Sequence, residues 1–236
     1  MAQTQQRTEP TRYADGRAAT AIADETGVPE TAGERVPKLV DVRLVSDGWI
    51  KKYVLSYEMP DGSPYEYESV SRKGLDAYRA ELERNARGEA PTSDAVCIVP
   101  VLPDGSLLMI REFRYPLNAW CIAFPAGLVE PGEDLAAAVD RELREETGFR
   151  VRRDVADPVR PLRQSGYSST GLGEENVRVV FADVERAGDA QPEANELIEA
   201  FVLPAGEVRA FLDANATPIG TRAQLVLEVI AARAGE

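Results

Sequence analysis

Three glutamates near the middle of the chain have the residue type and the spacing that a divalent cation requires. Glu142, Glu145 and Glu146 lie within five positions, and a helix with 3.6 residues per turn places them on one face. Like charges held this close repel one another, and a cation among them relieves the repulsion. Carboxylate oxygens are hard ligands that suit Mg²⁺, and Mn²⁺ is also possible. Such a metal can activate water against a pyrophosphate bond.

The residues around these glutamates predict a turn followed by a helix that packs on a sheet. Gly127 lets the backbone turn tightly and approach a ligand, and Gly148 suits a left-handed helix end. Leu135, Val139 and Leu143 recur at every fourth position and predict an apolar stripe that leaves the glutamates facing a cleft. The alternative to a metal-binding face is a solvent-exposed acidic face with interspersed arginines, which is typical of a run of this composition.

Composition excludes several classes of function. The chain has 236 residues, 44% of them hydrophobic, which is enough for one large domain or a domain with a small appendage. A net charge of -13 argues against nucleic-acid and membrane-surface partners. The absence of histidine excludes a Ser-His-Asp triad, a Cys-His dyad and a His-ligated zinc. We expect a cytoplasmic protein, because the sequence has neither a long apolar span nor the apolar core of a secretory signal.

The hydrophobic pattern divides the chain into four parts. Residues 1–36 have almost no periodicity and predict a flexible tail. Residues 37–72 alternate around a turn cluster and predict a small antiparallel N-terminal β subdomain. Residues 73–93 predict a charged helix, over 72–87, and a linker. Residues 94–236 alternate between strand and helix patterns and predict an α/β sandwich with a mixed sheet.

Within the last part, the apolar runs predict the order of the elements. Strands are expected over 94–103, 107–113, 119–125, 176–184 and 197–203, with a further segment over 155–162 and helices over 205–215 and 221–234. The first two strands are separated by Pro-Asp-Gly-Ser and predict a hairpin that is buried on both faces. Cys97 and Cys121 lie in apolar runs, and we interpret them as buried small side chains rather than as a disulfide.

The stretch from Gly127 to Phe149 resembles the Nudix box. That pattern is glycine, five residues, glutamate, seven residues, then Arg-Glu-apolar-x-Glu-Glu-x-Gly-apolar. The positions are filled here by Gly127, Glu133, Arg141, Glu142, Leu143, Glu145, Glu146, Gly148 and Phe149. Other strings resemble the branch of Nudix hydrolases that contains ADP-ribose pyrophosphatases and nucleoside diphosphate-sugar hydrolases. They are Asp-Gly-Trp49, Tyr67-Glu68-Ser69-Val70 followed by Arg72, Arg-Glu-Phe-Arg114, and Phe124-Pro125-Ala126-Gly127-Leu128.

The resemblance implies a Nudix-type α/β/α sandwich that hydrolyses ADP-ribose to AMP and ribose 5-phosphate with Mg²⁺. It assigns the metal to the backbone at Ala126 and to Glu142 and Glu146, with Glu145 beside them. Arg141 would pair with Glu133 to brace the loop against the helix. A glutamate from a later loop completes the site, and Glu196 matches its place. A solvated loop acid is the alternative interpretation of Glu196.

The resemblance also assigns the substrate-binding residues and a homodimer whose N-terminal subdomain crosses onto the partner. Trp49 and Tyr67 would sandwich an adenine, although aromatic residues on a hairpin are also typical cross-strand packing pairs. Arg72 and Arg114 would neutralise the diphosphate, with a surface ion pair as the alternative. The remaining substrate-binding candidates are Glu68 and Leu128.

One departure from the family leaves the second moiety of the substrate open. The branch commonly carries a Ser-Pro-Gly turn beyond the box, over the sugar end of the substrate. The segment from Gln164 to Gly171 lacks that proline. The alternative substrates are therefore another nucleoside diphosphate sugar, such as ADP-glucose or GDP-mannose, and a dinucleotide. A Nudix domain that senses a nucleotide without turnover is the alternative to an enzyme.

Overall fold

The computed structural model describes residues 36–234. Apart from Val36, the predicted tail over residues 1–36 lies outside the described residues. The chain divides into two compact units, one containing residues up to Arg43 together with Val54–Tyr67, the other containing Leu44–Tyr53 and the chain from Glu68 onward. The boundaries that we predict at residues 36, 72 and 93 stay predictions.

The N-terminal strands form the small antiparallel sheet that the sequence predicts. They are β1 (Lys38–Asp47), β2 (Lys51–Glu58) and β3 (Pro64–Ser71), in the spatial order β1, β2, β3. The turn between β2 and β3 is closed by the amide of Gly62, which donates to the carbonyl of Met59 at 2.8 Å. Gly62 has a φ of 82°, a conformation that a side chain would strain.

The second sheet is mixed, as predicted. Among the described residues it has nine strands. They are β4 (Ala95–Val101), β5 (Leu107–Arg114), β6 (Ala119–Ala123), β7 (Ala126–Leu128), β8 (Phe149–Val151), β9 (Val159–Pro161), β10 (Gly166–Tyr167), β11 (Asn176–Arg186) and β12 (Ile198–Leu203). The main path runs β10, β11, β4, β5, β12, with β6 beside β5, β7 beside β4, and β8 and β9 beside β11. Strands β11 and β4 are parallel, and the other strand pairs described in this sheet are antiparallel.

Helices cover both faces of this sheet and complete the predicted sandwich. They are α1 (Leu75–Ala86), α2 (Leu135–Thr147), α3 (Val208–Ala214) and α4 (Thr221–Ala234). Strand β4 shows the layering, because successive side chains on a strand point to opposite faces. Val99 packs in one apolar cluster with Leu227 of α4, whereas Ile98 packs in another with Val139 of α2. Within residues 36–234, no helix is both long and apolar enough to cross a membrane.

The structure differs from the sequence predictions at short elements and at helix ends. The first helix begins at Leu75 rather than at residue 72, because Gly74 before it has an extended backbone. The segment over 155–162 forms a strand only over Val159–Pro161, where it pairs with β11. The predicted hairpin of β4 and β5 is paired only at Val101 and Leu107. Cys97 and Cys121 are both buried free thiols, as predicted.

Candidate active site

The separation of β4 from β5 makes room for the strand that opens the box. Strand β7 pairs antiparallel with the first half of β4, from Leu128 opposite Ala95 to Ala126 opposite Cys97. The amide of Ile98 donates to the carbonyl of Pro125 at 2.8 Å and continues this pairing. Helix α2 packs against both β4 and β7. The backbone of the box is therefore fixed by the sheet at one end and by a helix at the other.

Helix α2 is capped at both ends, and it ends at Gly148 as the sequence predicts. The carboxylate of Asp134 accepts a hydrogen bond from the amide of Ala136 at 3.0 Å, which caps the first turn. Gly148 ends the helix with a φ of 72°, and a side chain there would also meet the carbonyl of Gly188 at 2.4 Å. Val139 and Leu143 are fully buried, so the apolar stripe faces the sheet.

The glutamates of α2 divide into two buried residues and one exposed residue. Glu142 and Glu146 are 8% and 5% exposed, whereas the side chain of Glu145 is 45% exposed. The carboxylate of Glu146 accepts a hydrogen bond from the amide of Ala126 at 3.1 Å. That of Glu142 lies against Gly127, where a Cβ would be 2.0 Å from Cδ. Two carboxylates one helical turn apart therefore face the first residues of β7.

Burial makes both of these carboxylates hard to ionise. The pKa of Glu146 lies well above its ordinary value, first because of burial and then because of the negative charges of Glu142, Glu112 and Glu196. The pKa of Glu142 is also raised, mainly by burial, although Arg141 opposes the shift. A cation beside these carboxylates would favour their charged forms.

Arg141 connects the loop of the box to its helix. Its guanidinium donates to both oxygens of Glu133 at 3.0 Å each. It also donates to the carbonyl of Leu128 at 2.9 Å, to Glu142 at 2.7 Å and to Glu145 at 3.2 Å. The hydrogen bond from Arg141 is the main reason that the pKa of Glu133 is lowered. The predicted contact between Arg141 and Glu133 is thus present.

The carboxylates of α2 can supply part of the coordination shell of a magnesium ion. Mg²⁺ is usually held by one or two carboxylates, with water and substrate phosphates filling its other positions. Glu142 and Glu146, together with the backbone at Ala126, supply such a partial set. Within residues 36–234 no three acidic or cysteine side chains are grouped so as to hold a metal by themselves. Water and the phosphates of a substrate would contribute the remaining oxygens.

Glu196 and Arg114 lie together at the edge of the same region. Both line a cavity of about 180 Å³, which also includes Glu112. The charge of Glu196 contributes to the raised pKa of Glu142 and of Glu146. Arg114 is paired with Glu112 at 3.0 Å. Glu196 therefore lies within electrostatic reach of the box glutamates although it is remote from them in sequence.

A larger cavity, of about 480 Å³, is lined in part by two other predicted substrate-binding residues, Arg72 and Leu128. Arg72 forms an ion pair with Glu175. A partly buried polar cluster at this cavity was not predicted from the sequence: the ammonium of Lys73 lies 2.6 Å from Asp94 and 3.5 Å from Glu174. The available signal was weak, since it consisted only of charged residues directly before two buried strands.

The remaining predicted substrate-binding residues lie on the N-terminal strands and the turn between them. Trp49 is 77% exposed. Tyr67 is partly buried, and its ring centroid lies 6.5 Å from that of Tyr65. Glu68 forms an ion pair with Lys52 at 2.7 Å. Their roles in binding a base stay predictions.

Comparison with known proteins identifies the family. The model of the NUDIX domain matches residues 91–222. An ADP-sugar pyrophosphatase of Mus musculus is 30% identical over 185 residues, which are 72% of this chain and 75% of that protein. An ADP-ribose pyrophosphatase of Saccharomyces cerevisiae is 31% identical over 185 residues, or 74% of this chain and 72% of that protein. The crystal structure of an ADP compounds hydrolase has a TM-score of 0.58 at 21% identity and covers 75% of this chain and 83% of its own.

The chain belongs to the Nudix family of hydrolases. The predicted family, its ADP-ribose pyrophosphatase branch and the assignment as a pyrophosphohydrolase are confirmed. The solved structure, at its low identity, confirms the predicted fold.

Proposed function

We propose that the protein hydrolyses the pyrophosphate bond of ADP-ribose to AMP and ribose 5-phosphate, with Mg²⁺ as its cofactor. The observation that carries the proposal is the pair of buried carboxylates, Glu142 and Glu146, which face Gly127 and Ala126. A module that only binds a nucleotide has no need of buried acids that repel one another. The names of the mouse and yeast relatives support a nucleoside diphosphate sugar as the substrate class.

The proposed metal site consists of Glu142, Glu146 and the backbone at Ala126, with Glu145 beside them. When bound there, a divalent cation supplies Lewis-acid polarisation of the phosphoryl oxygens and lowers the pKa of water. Arg141 holds Glu133 and the carbonyl of Leu128, so it keeps the loop of the box in register with the helix.

We assign to Glu196 the role of accepting the proton of the attacking water, with a glutamate of the box as the alternative acceptor. Water adds to one phosphorus and the bond from that phosphorus to the bridging oxygen breaks, so that one product is AMP and the other is ribose 5-phosphate. The carboxylate of Glu196 orients the water and accepts its proton as the new bond forms.

We assign the binding of the diphosphate and of the adenine base to the remaining predicted residues. Arg114 has its side chain 56% exposed beside Glu112, so it can exchange that partner for a phosphate oxygen. Arg72, at the larger cavity, can leave Glu175 in the same way. Trp49 and Tyr67 supply aromatic faces for an adenine, and Glu68 and Leu128 complete the proposed binding residues.

The proposal extends to a homodimer and to a cytoplasmic setting. Two adjacent exposed apolar side chains in the turn between β1 and β2, Trp49 and Ile50, support an interface at the N-terminal subdomain, since exposed apolar surface is typical of association sites. Two buried free thiols, at Cys97 and Cys121, support a reducing compartment. Sedimentation equilibrium tests the dimer, and a monomer at all concentrations would exclude it.

One assay tests the activity. The protein is incubated with Mg²⁺ and a panel of ADP-ribose, ADP-glucose, GDP-mannose and dinucleotides, with Glu146→Gln alongside. Release of AMP and ribose 5-phosphate by the wild type alone supports the proposal. Preferential turnover of another panel member reassigns the substrate, and binding without turnover supports a nucleotide sensor.

A further inference from the structure

The loop that carries Glu196 is held on both sides of that residue by one segment of the chain. The amide of Phe113, on β5, donates to the carbonyl of Leu197 at 3.0 Å. The hydroxyl of Tyr115, two residues later, donates to the carbonyl of Asn195 at 3.0 Å. The residues directly before and after Glu196 are therefore both attached to residues 113–115.

The backbone around Tyr115 is conformationally restricted, which fixes the position of the Tyr115 side chain. Tyr115 begins a single 3₁₀ turn that contains Pro116, whose ring restricts the backbone. Asn118 closes the turn in the left-handed conformation, with a φ of 48°, and its amide donates to the carbonyl of Tyr115 at 3.1 Å. The turn continues directly from β5, so Tyr115 is anchored to the sheet.

Aromatic contacts fix the ring of Tyr115 as well as its backbone. The ring packs edge to face on Phe113, with centroids 5.5 Å apart, and Phe113 packs edge to face on Trp120 at 6.1 Å. The guanidinium of Arg111 lies 4.6 Å from the centre of the Trp120 ring. Although Tyr115 is 63% exposed, its ring is thus oriented by a row of aromatic neighbours that begins with Phe113 on β5.

The loop itself offers little other support to Glu196. The amide of Glu196 donates to the carbonyl of Glu193 at 2.9 Å, and its carboxylate accepts from the amide of Glu193 at the same distance. Both contacts lie inside the loop, so they shape it without attaching it to the sheet. The attachments to the sheet that the structure describes next to Glu196 are those from Phe113 and Tyr115.

We propose that Tyr115 is a positioning residue for Glu196: its hydroxyl holds the carbonyl of Asn195 and so sets the distance of the Glu196 carboxylate from Glu142 and Glu146. This inference rests on the proposed role of Glu196 in the hydrolysis of a nucleoside diphosphate sugar. Phe113 acts through its backbone and cannot be tested by substitution in the same way. Tyr115 acts through a single oxygen atom that one substitution removes.

The test is a double-mutant cycle with Tyr115→Phe, Glu196→Gln and the double variant, in which kcat and KM for ADP-ribose are measured. Tyr115→Phe keeps the ring and its contacts with Phe113. We expect kcat to fall about threefold to tenfold, the range that corresponds to one hydrogen bond of ordinary strength, with KM unchanged. In the Glu196→Gln background the same substitution should have no further effect. Unchanged kcat in Tyr115→Phe, or losses that multiply in the double variant, would overturn the proposal.

Tyr57→Phe is the matched control. Tyr57 is partly exposed, and no hydrogen bond of its hydroxyl is described within residues 36–234. Its substitution therefore removes the same atom without releasing a loop, and kcat should equal that of the wild type.

Hydrogen exchange separates the failure of this inference from the failure of the proposed function. If the wild type hydrolyses nothing in the panel, the proposed function fails, but the attachment of the loop can still be measured. Faster exchange over residues 193–198 in Tyr115→Phe, and not in Tyr57→Phe, supports the positioning role. Equal exchange in the two variants overturns it.

Discussion

The carboxylate of Glu142 occupies the space that a side chain at position 127 would need. A Cβ built on Gly127 would lie 2.0 Å from Cδ and Oε1 of Glu142 and 2.3 Å from Oε2. Gly127 is absent from the residues with positive φ, so its backbone does not itself require glycine. The requirement for glycine is steric. Strand β7 and helix α2 approach each other so closely that β7 can carry no side chain at position 127.

Gly127→Ala should therefore displace Glu142 rather than strain the turn. We expect kcat to fall about a hundredfold or more, because a shift of about 1 Å in a catalytic group has an effect of that size. The free energy of unfolding should fall by about 1–3 kcal/mol, as is typical of overpacking. Kinetics with ADP-ribose and urea unfolding measure the two effects. Gly206→Ala is the control, since a Cβ there would meet nothing within 4 Å; equal losses in both variants would contradict the steric explanation.

Glu146→Gln should lower the activity of the protein while it raises the stability of the metal-free form. Turnover should fall about a hundredfold or more, since the substitution removes a proposed metal ligand. In EDTA, however, the melting temperature should rise, because a neutral amide replaces a buried carboxylate that faces Glu142, Glu112 and Glu196. Thermal unfolding with and without Mg²⁺ measures this. Glu145→Gln, at a more exposed position, should change the metal-free melting temperature less.

The stability of the metal-free protein should fall as the pH rises. The pKa values of Glu142 and Glu146 are raised above 4.5 in the folded protein. Between the unfolded and folded values the folded state holds more protons, so these groups stabilise it at low pH and lose that effect as the pH rises through the folded pKa values. Mg²⁺ requires the ionised forms, so its effect on the melting temperature should increase as the pH rises through the folded pKa values of these two glutamates. A flatter pH dependence in Glu146→Gln would support this origin, and an unchanged one would exclude it.

Arg141→Lys should weaken the site although it conserves the charge. A single ammonium cannot replace the paired hydrogen bonds to Glu133 together with those to Leu128 and Glu142. We expect about a tenfold or greater loss of kcat/KM and a loss of about 1–3 kcal/mol in the free energy of unfolding. Arg144→Lys is the matched control, because Arg144 makes one described side-chain contact, to Asp140 at 2.8 Å. Equal effects of the two variants would count against the bracing role.

Lys73→Met should destabilise the protein more than a surface substitution does. It removes the cation that lies 2.6 Å from Asp94 and 3.5 Å from Glu174, and it leaves partly buried carboxylates without that partner. Losing one member of such a group costs about 3–5 kcal/mol when it is fully buried, and we expect about half of that here. Urea unfolding measures the effect, and Lys73→Met with Glu174→Gln should recover part of it. No recovery would show that the loss comes from packing.

Much of the box could be predicted from local sequence. The apolar stripe of Val139 and Leu143, the cap at Gly148 and the shared face of the glutamates all follow from helix geometry within a few turns. The contact between Arg141 and Glu133 was available from the family resemblance. The catalytic and binding roles of these residues stay predictions.

The rest depends on contacts between distant segments, which local periodicity does not encode. The sequence does not show that β5 diverges from β4 after Leu107, nor that β7 pairs with the first half of β4 in its place. The cluster of Lys73, Asp94 and Glu174 assembles from three separate segments, so no spacing rule connects its members. Strands as short as β8 and β9 exist because β11 pairs with them, and three residues carry too little pattern to be found alone.

The parallel pairing of β4 with β11 also determines when the enzyme can form during its synthesis. Asp94 accepts a hydrogen bond from the amide of Asn176, although 82 positions separate them. The box helix must therefore leave the ribosome well before its sheet is complete, and contacts between such distant segments form slowly. Until β11 is synthesised, β4 presents an unpaired backbone edge where β11 will pair, and an unpaired strand edge is a site of wrong association.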